Sequence, residues 1–204
     1  MGNLKQVEQR VSRVQRGFRE MQEQALKIVS EECDTESLRI AKQLYASEKY
    51  QVRMVAVFVL GYIASKSHDA VKILRKTVSQ DNSWQVQEIL AKAFDEYCKQ
   101  IGYEKSLPTI KEWLQDKNPN VRRAVSEGLR IWNRRDYFRG YPEVAIQLLS
   151  KLKEDESDYV RRSTGNALRD ISRREKNLVR AELAKWDRAN PKIAFTYALA
   201  AKFL

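Results

Sequence analysis

Residues 119–132, PNVRRAVSEGLRIW, and residues 158–171, DYVRRSTGNALRDI, share a pattern that decides the fold. In each, a valine near the start is followed by basic or polar residues and then by apolar residues at helical spacing. The same pattern occurs in residues 50–63, YQVRMVAVFVLGYI, and in residues 84–97, WQVQEILAKAFDEY. The four valines, which lie 34, 35 and 39 residues apart, are Val52, Val86, Val121 and Val160. A period in this range is typical of stacked helix pairs, so the sequence predicts an all-α protein built from repeats.

The repeats predict a right-handed α-solenoid that forms a single domain over residues 1–204, with a basic concave groove lined by the second helix of each pair. Residues 1–31 are expected to form one capping helix, because their apolar residues alternate in steps of three and four. Residues 36–204 hold the repeats, and Thr35 is the expected N-cap of their first helix. Residues 134–141, RRDYFRGY, lengthen the third period and are expected to form an insertion loop.

Three aspartates support the repeat assignment. Asp81, Asp116 and Asp155 each stand five residues before a repeat valine. An aspartate at this position can cap the following helix and face a basic residue of the next repeat. This pattern is typical of HEAT-like repeats.

The composition indicates a cytoplasmic protein with a polyanionic partner. The formal net charge is +11, and residues 103–204 carry +8 of it, from 22 basic and 14 acidic residues. Such a basic half suggests nucleic acid, although solubility alone would also account for the charge. We find no apolar run long enough to cross a membrane and no signal peptide. Cys33 and Cys98 are both expected to be small core residues, and His68 is the single histidine, which excludes histidine-based metal sites and Ser–His triads.

On a helical wheel that takes the repeat valine as the zero angle, each second helix has a buried face and an outward face. The outward positions of the second helices are predicted to line the concave groove, as Trp84, Glu88, Lys92, Asp95 and Lys99, then Arg123, Glu127, Arg130 and Arg134, and then Arg162, Asn166, Arg169 and Arg173. A row of arginines suits a phosphate backbone, because arginine supplies both charge and forked hydrogen bonds. The alternative is a solvated face with pairs within one helix, such as Arg123 with Glu127.

Trp84 and Glu88 interrupt this basic row. Trp113 and Trp132 lie on the apolar faces of their helices and Trp186 is expected to pack at the end of its helix, whereas Trp84 lies opposite the core. An exposed indole in a basic groove could stack on a base or lie against a sugar, or it could pack on the neighbouring turn. Glu88 opposes DNA affinity, so it indicates either chemistry on a developing sugar cation or an ion pair with Arg123.

These residues resemble the HEAT-like-repeat DNA glycosylases of bacterial alkylation repair, the AlkD-like and AlkC-like group. The resemblance rests on Trp84 followed by Glu88, on Arg123 within NPNVRRAV, and on the block DYVRRSTGNALRDIS. Some members of that family carry a second groove tryptophan where this chain has Asn166, and many have an aspartate in place of Glu88.

The resemblance implies hydrolysis of the N-glycosidic bond of N3- or N7-alkylated purines in duplex DNA, by a monomer that needs no cofactor and no metal. It implies three roles: Glu88 stabilises the sugar cation and orients water, Trp84 lies against the deoxyribose, and Arg123 clamps a phosphate. The expected DNA-binding residues are Lys92, Arg130, Arg134, Arg162, Asn166, Arg169 and Arg173. Two alternatives stay open: a non-catalytic scaffold that binds DNA or an acidic protein, and an adaptor that acts through its N-terminal helix.

Overall fold

The computed structural model of the chain describes residues 2–132 and 134–204, apart from the side chains of residues 2, 3, 131 and 132. Within these ranges the chain forms thirteen α-helices and no strand, which confirms the all-α class. The helices are α1 (Gly2–Val11), α2 (Arg19–Glu31), α3 (Asp34–Tyr45), α4 (Tyr50–Ile63), α5 (His68–Lys76), α6 (Trp84–Ile101), α7 (Leu107–Leu114), α8 (Pro119–Trp132), α9 (Asp136–Gly140), α10 (Pro142–Ser150), α11 (Asp158–Ser172), α12 (Lys176–Leu183) and α13 (Pro191–Ala200). Short 3-10 turns follow α5 at Val78–Gln80 and α13 at Ala201–Phe203.

The chain divides into two compact units, Met1–Gly102 and Tyr103–Leu204. The first unit holds α1 to α6 and the second holds α7 to α13. The single domain, the continuous solenoid and the shared concave groove that the sequence predicts therefore stay predictions. Each unit is described by itself below.

The first unit is built around α4, which packs against α2, α3 and α6. Helix α4 is apolar along almost its whole length, so it can be buried on several sides at once. Its repeat valine, Val52, is buried, as is Val86 in α6. Gly61 permits the close approach of α6, because a Cβ atom at this position would lie 2.7 Å from the Cα atom of Ala93.

The N-terminal segment is not the single helix that the sequence predicts. Helix α1 ends at Val11 and α2 begins at Arg19, and Gly17 between them has a φ of +81°, which a continuous helix does not allow. The connecting residues lie against α4, whose Gln51 side-chain amide donates to the carbonyl of Val14 over 3.2 Å. Helix α2 also packs on α4, where Phe58 is buried with its ring centroid 6.1 Å from that of Phe18.

The second unit is centred on α11, which packs against α8 and α13. The repeat valines Val121 and Val160 are fully buried, as the pattern predicts. Gly165 of α11 lies against α13, because a Cβ atom there would be 2.6 Å from the Cβ atom of Leu199. Trp113 and Trp186 are buried in this unit as predicted, whereas the side chain of Trp132 lies outside the described residues.

Two of the repeat aspartates join consecutive repeats. In the first unit, Arg53 of α4 donates to both carboxylate oxygens of Asp81, over 2.7 and 3.0 Å. In the second unit, Arg122 of α8 donates to both oxygens of Asp155, each over 2.7 Å. The aspartates do not cap helices directly: Asp81 accepts a hydrogen bond from the backbone N–H of Ser83, the N-cap residue of α6. The arginine bonded to each of these two aspartates belongs to the preceding repeat, and not to the next repeat as predicted.

Four smaller predictions need correction. Helix α6 continues to Ile101, beyond the predicted end at Tyr97, and Cys98 within this extension is buried as expected. Helix α3 begins at Asp34, so Thr35 lies inside the helix and is not its N-cap. The N-cap residue is Cys33, which is exposed and not in the core as predicted. The expected loop of residues 134–141 contains α9, because buried Phe138 anchors this segment to Tyr103 with ring centroids 5.7 Å apart.

Candidate functional site

Helix α6 presents the candidate catalytic side chains. Its N-cap, Ser83, accepts a hydrogen bond at Oγ from the N–H of Val86 over 3.4 Å, which fixes the start of the helix at Trp84. Trp84 is 67% exposed, so it lies outside the core as the wheel predicts. Glu88 follows one helical turn later and is half-buried. The structure thus places an accessible indole and a partly shielded carboxylate on consecutive turns of one helix.

Lys92 stands a further turn along α6 and is half-buried. Its Nζ atom lies 4.4 Å from the centroid of the Phe18 ring, at a distance typical of a cation–π contact. Asp95 was expected on the same outward face, but it is buried at 8% exposure. The outward face of α6 is therefore open at Trp84 and becomes covered toward Asp95.

The prediction that Arg123 lies on an exposed face is wrong. Arg123 is buried at 8% exposure, and its guanidinium carbon lies 4.4 Å from the ring centroid of Tyr159. Its Nη2 atom is also 3.8 Å from a carboxylate oxygen of Glu127 on the same helix. The wheel gave the direction of the side chain from α8 but could not include Tyr159, which belongs to α11 and covers the guanidinium.

Arg130 and Arg169 are engaged with carboxylates of their own unit. Arg130 donates to Asp170 over 3.0 Å and to Glu127, and Arg169 lies 3.2 Å from Asp170. Burial by itself lowers the pKa of the Arg130 guanidinium, but the charge of Glu127 and the hydrogen bonds to both carboxylates outweigh it and raise that pKa. Ser163 also donates to Glu127 over 2.9 Å, so the cluster joins α8 to α11.

Three predicted arginines are exposed. Arg134 lies just beyond α8, while Arg162 and Arg173 lie on α11 and immediately after it. The guanidinium carbon of Arg162 is 5.3 Å from the ring centroid of Phe195, and that of Arg173 is 5.0 Å from the ring centroid of Phe203. Asn166, at the position of the second groove tryptophan of some glycosylases, is half-buried.

Sequence reasoning missed the aromatic partners of the basic side chains. Phe18, Tyr159, Phe195 and Phe203 each contact a predicted groove residue through the ring face. These aromatics lie outside the helical stretch that carries the basic residue they contact, so the periodicity of one helix gives no sign of them.

Neither a metal centre nor a membrane span emerges from the described part of the chain. Over residues 2–132 and 134–204, the described side chains contain no group of three or more histidine, cysteine, aspartate or glutamate residues placed to hold a metal ion. None of the helices in these ranges is long and apolar enough to cross a membrane.

Comparison with known proteins identifies the class. The sequence profile of the family described as DNA alkylation repair enzyme matches residues 11–201. This match covers most of the chain, and the chain therefore belongs to the DNA alkylation repair enzyme family.

The most informative relatives are bacterial. The crystal structure of AlkD2 from Streptococcus mutans is 46% identical and has a TM-score of 0.97, with 100% of this chain and 98% of that one covered. The crystal structure of smu.31 from Streptococcus mutans UA159 is 47% identical, with a TM-score of 0.89 and coverage of 91% and 92%. The uncharacterized protein YhaZ of Bacillus subtilis is 36% identical over 95 residues, which are 45% of this chain and 27% of that protein. This match thus spans about a quarter of the curated relative.

Proposed function

We propose that this protein is a DNA glycosylase that releases N3- or N7-alkylated purines from duplex DNA. The observation that carries the proposal is the pairing on α6 of exposed Trp84 with half-buried Glu88 one turn later, in a member of the DNA alkylation repair enzyme family. A carboxylate opposes DNA binding, so Glu88 is not expected on a surface that only binds DNA.

Glu88 supplies the electrostatic part of the chemistry. An N3- or N7-alkylated purine carries a positive charge, so it leaves as a neutral base without prior protonation. As the bond between C1′ and the base nitrogen breaks, positive charge develops on the sugar, and a nearby carboxylate stabilises it. The same carboxylate accepts a proton from the water that adds to C1′. Partial burial of Glu88 strengthens both effects by excluding part of the solvent.

Trp84 supplies a flat surface for the damaged nucleotide. Its ring is accessible at the start of α6 and can lie against the deoxyribose or stack on a base. Lys92, held against the ring of Phe18, adds positive charge two turns after Trp84.

Backbone phosphates are proposed to contact the exposed arginines of the second unit, Arg134, Arg162 and Arg173, with Asn166 and Arg169 as secondary contacts. Arg123 and Arg130 are left out of this set. The first is buried over Tyr159, and the second is bonded to Glu127 and Asp170. Both are assigned a positioning role within their own unit.

The test compares Glu88→Gln with wild type on methylated duplex DNA. Glutamine keeps the size and removes the charge, so we expect loss of released 3-methyladenine and 7-methylguanine with equal or tighter DNA binding. Glu96→Gln is the matched control, because Glu96 lies on the same helix and is half-buried, with its carboxylate 3.5 Å from Lys99. Full excision activity in Glu88→Gln would rule out the catalytic assignment.

A second function, DNA binding without catalysis, is favoured by one observation. The glycosylase resemblance implies that Arg123 clamps a phosphate, but the structure buries Arg123 against the ring of Tyr159. The same experiment separates the two functions: wild-type protein that binds methylated duplex but releases no base supports the binding function.

A further inference from the structure

Two phenylalanines of the C-terminal segment lie against four arginines of α11 and its end. The ring centroid of Phe195 is 5.5 Å from the guanidinium carbon of Arg161 and 5.3 Å from that of Arg162. The ring centroid of Phe203 is 5.8 Å from the guanidinium carbon of Arg169 and 5.0 Å from that of Arg173. Each ring thus contacts two arginines, and all four distances are within the range of cation–π contacts.

Each phenylalanine contacts two arginines. One of them is bonded to other groups of the fold, and the other is exposed. Arg161 donates to the backbone carbonyls of Asp155 and Glu156, and Arg169 is paired with Asp170, so both are held within the fold. Arg162 and Arg173 are exposed. The rings therefore join an anchored guanidinium to an accessible one on the same surface.

A phenyl ring orients a guanidinium without changing its charge. The ring has no hydrogen-bonding atom, so the N–H groups at the edge of the guanidinium plane stay available to an acceptor. A carboxylate partner has the opposite effect, since Glu127 and Asp170 occupy the N–H groups of Arg130 and offset its charge. An arginine held on a ring is thus oriented in advance for a phosphate, and less side-chain entropy is lost when it binds.

We propose that Phe195 and Phe203 are positioning residues that orient Arg162 and Arg173 for contact with the DNA backbone. The proposal rests on the proposed function, because it assumes that these arginines bind phosphate. It adds the C-terminal segment from Pro191 to Phe203 to the nucleic-acid surface, although this segment supplies no arginine to that surface.

Phe203 is the better position for the test, because it is 42% exposed and its replacement leaves the core intact. The variants are Phe203→Leu, which removes the ring face, and Phe203→Trp, which restores one. Binding to a fluorescein-labelled duplex is measured at several salt concentrations, and thermal unfolding checks the fold. Leu178→Ala is the control, because Leu178 on α12 is similarly exposed at 41%.

We expect Phe203→Leu to weaken DNA binding about threefold, the size of an exposed cation–π contact. The salt dependence of binding should keep the wild-type slope, because the number of charges is unchanged, and Phe203→Trp should restore the affinity. In an Arg169→Ala/Arg173→Ala background, the leucine substitution should have no further effect. This loss of effect distinguishes positioning of the arginines from a merely structural contact.

Wild-type affinity in Phe203→Leu overturns the proposal, and so does an equal loss in the double-arginine background. If these outcomes occur while Arg162→Ala still weakens binding, the backbone-binding function stands and only the role of the rings is wrong. A wild-type protein that does not bind duplex DNA overturns both.

Discussion

Gly61 shows how a single missing side chain positions the helix that carries the candidate site. A Cβ atom at Gly61 would lie 2.7 Å from the Cα atom and 2.8 Å from the Cβ atom of Ala93 on α6. We expect Gly61→Ala to lower the free energy of unfolding by about 1–3 kcal/mol, because α4 and α6 must move apart. Urea unfolding measures the change. Displacement of α6 should also reduce base release, since Trp84 and Glu88 lie on it.

The matched control for this prediction is Gly140→Ala. Gly140 ends α9, and a Cβ atom there would meet nothing within 4 Å. Alanine should leave the stability unchanged or raise it by about 0.5 kcal/mol, since it restricts the unfolded chain. Equal losses at both positions would contradict the steric account of Gly61.

Residue exposure was predictable only where no second element covers the outward face. The wheel correctly places Trp84 outside the core, because Trp84 begins α6 and stays open to solvent. The same wheel fails for Arg123, which Tyr159 of α11 covers. Periodicity gives the direction of a side chain from its own helix, but what packs against it depends on contacts distant in sequence.

At the level of helices, the link between Arg53 and Asp81 connects α4 to the turn before α6. The Asp81 carboxylate is 4% exposed, and it also accepts from the Tyr45 hydroxyl over 3.0 Å. Burial alone raises the pKa of Asp81, but the hydrogen bonds from Arg53, Ser83 and Tyr45 outweigh it and hold this pKa below its usual value. The stabilisation is therefore complete above about pH 4, the unfolded pKa, and is lost as the pH falls through the lower folded pKa.

We expect Asp81→Asn to lower the free energy of unfolding at pH 7 by about 3 kcal/mol, because it leaves the Arg53 charge without its partner. It should also flatten the fall in stability below pH 4, since the titrating group is gone. Asp136→Asn is the control: its ion pair with Arg139 has the same 2.7 Å length, but the carboxylate is 92% exposed. Unfolding at several pH values should show almost no effect there.

Helix boundaries were predictable where capping residues and repeats coincide. Helix α8 begins and ends at the predicted residues, and it has proline in its first turn. The break between α1 and α2 was not predictable from the apolar stripe, which continues through it. Gly17 in the left-handed region makes the break, and its position becomes meaningful only when the connecting residues are seen on α4.

Over the whole molecule, DNA binding depends both on the net charge and on which basic residues are exposed. The sequence gives a net charge of +11, which by itself suits either solubility or a polyanionic partner. The structure divides the basic residues into those bonded to carboxylates, such as Arg130, and those exposed, such as Arg162. This division could not be predicted from composition, because it depends on which carboxylates the packing of α8 on α11 brings within reach.

A pair of arginine variants distinguishes the effect of one positioned charge on DNA binding from the effect of the net charge. Arg162→Ala on α11 and Arg180→Ala on α12 each remove one exposed positive charge, but only Arg162 belongs to the proposed phosphate contacts. We expect Arg162→Ala to weaken duplex binding and to reduce the slope of log affinity against log salt by about 0.9, the release associated with one phosphate contact. Arg180→Ala should leave the slope unchanged. Equal changes in both variants would mean that the whole charge of the chain, and not an arranged set of arginines on α11, attracts the DNA.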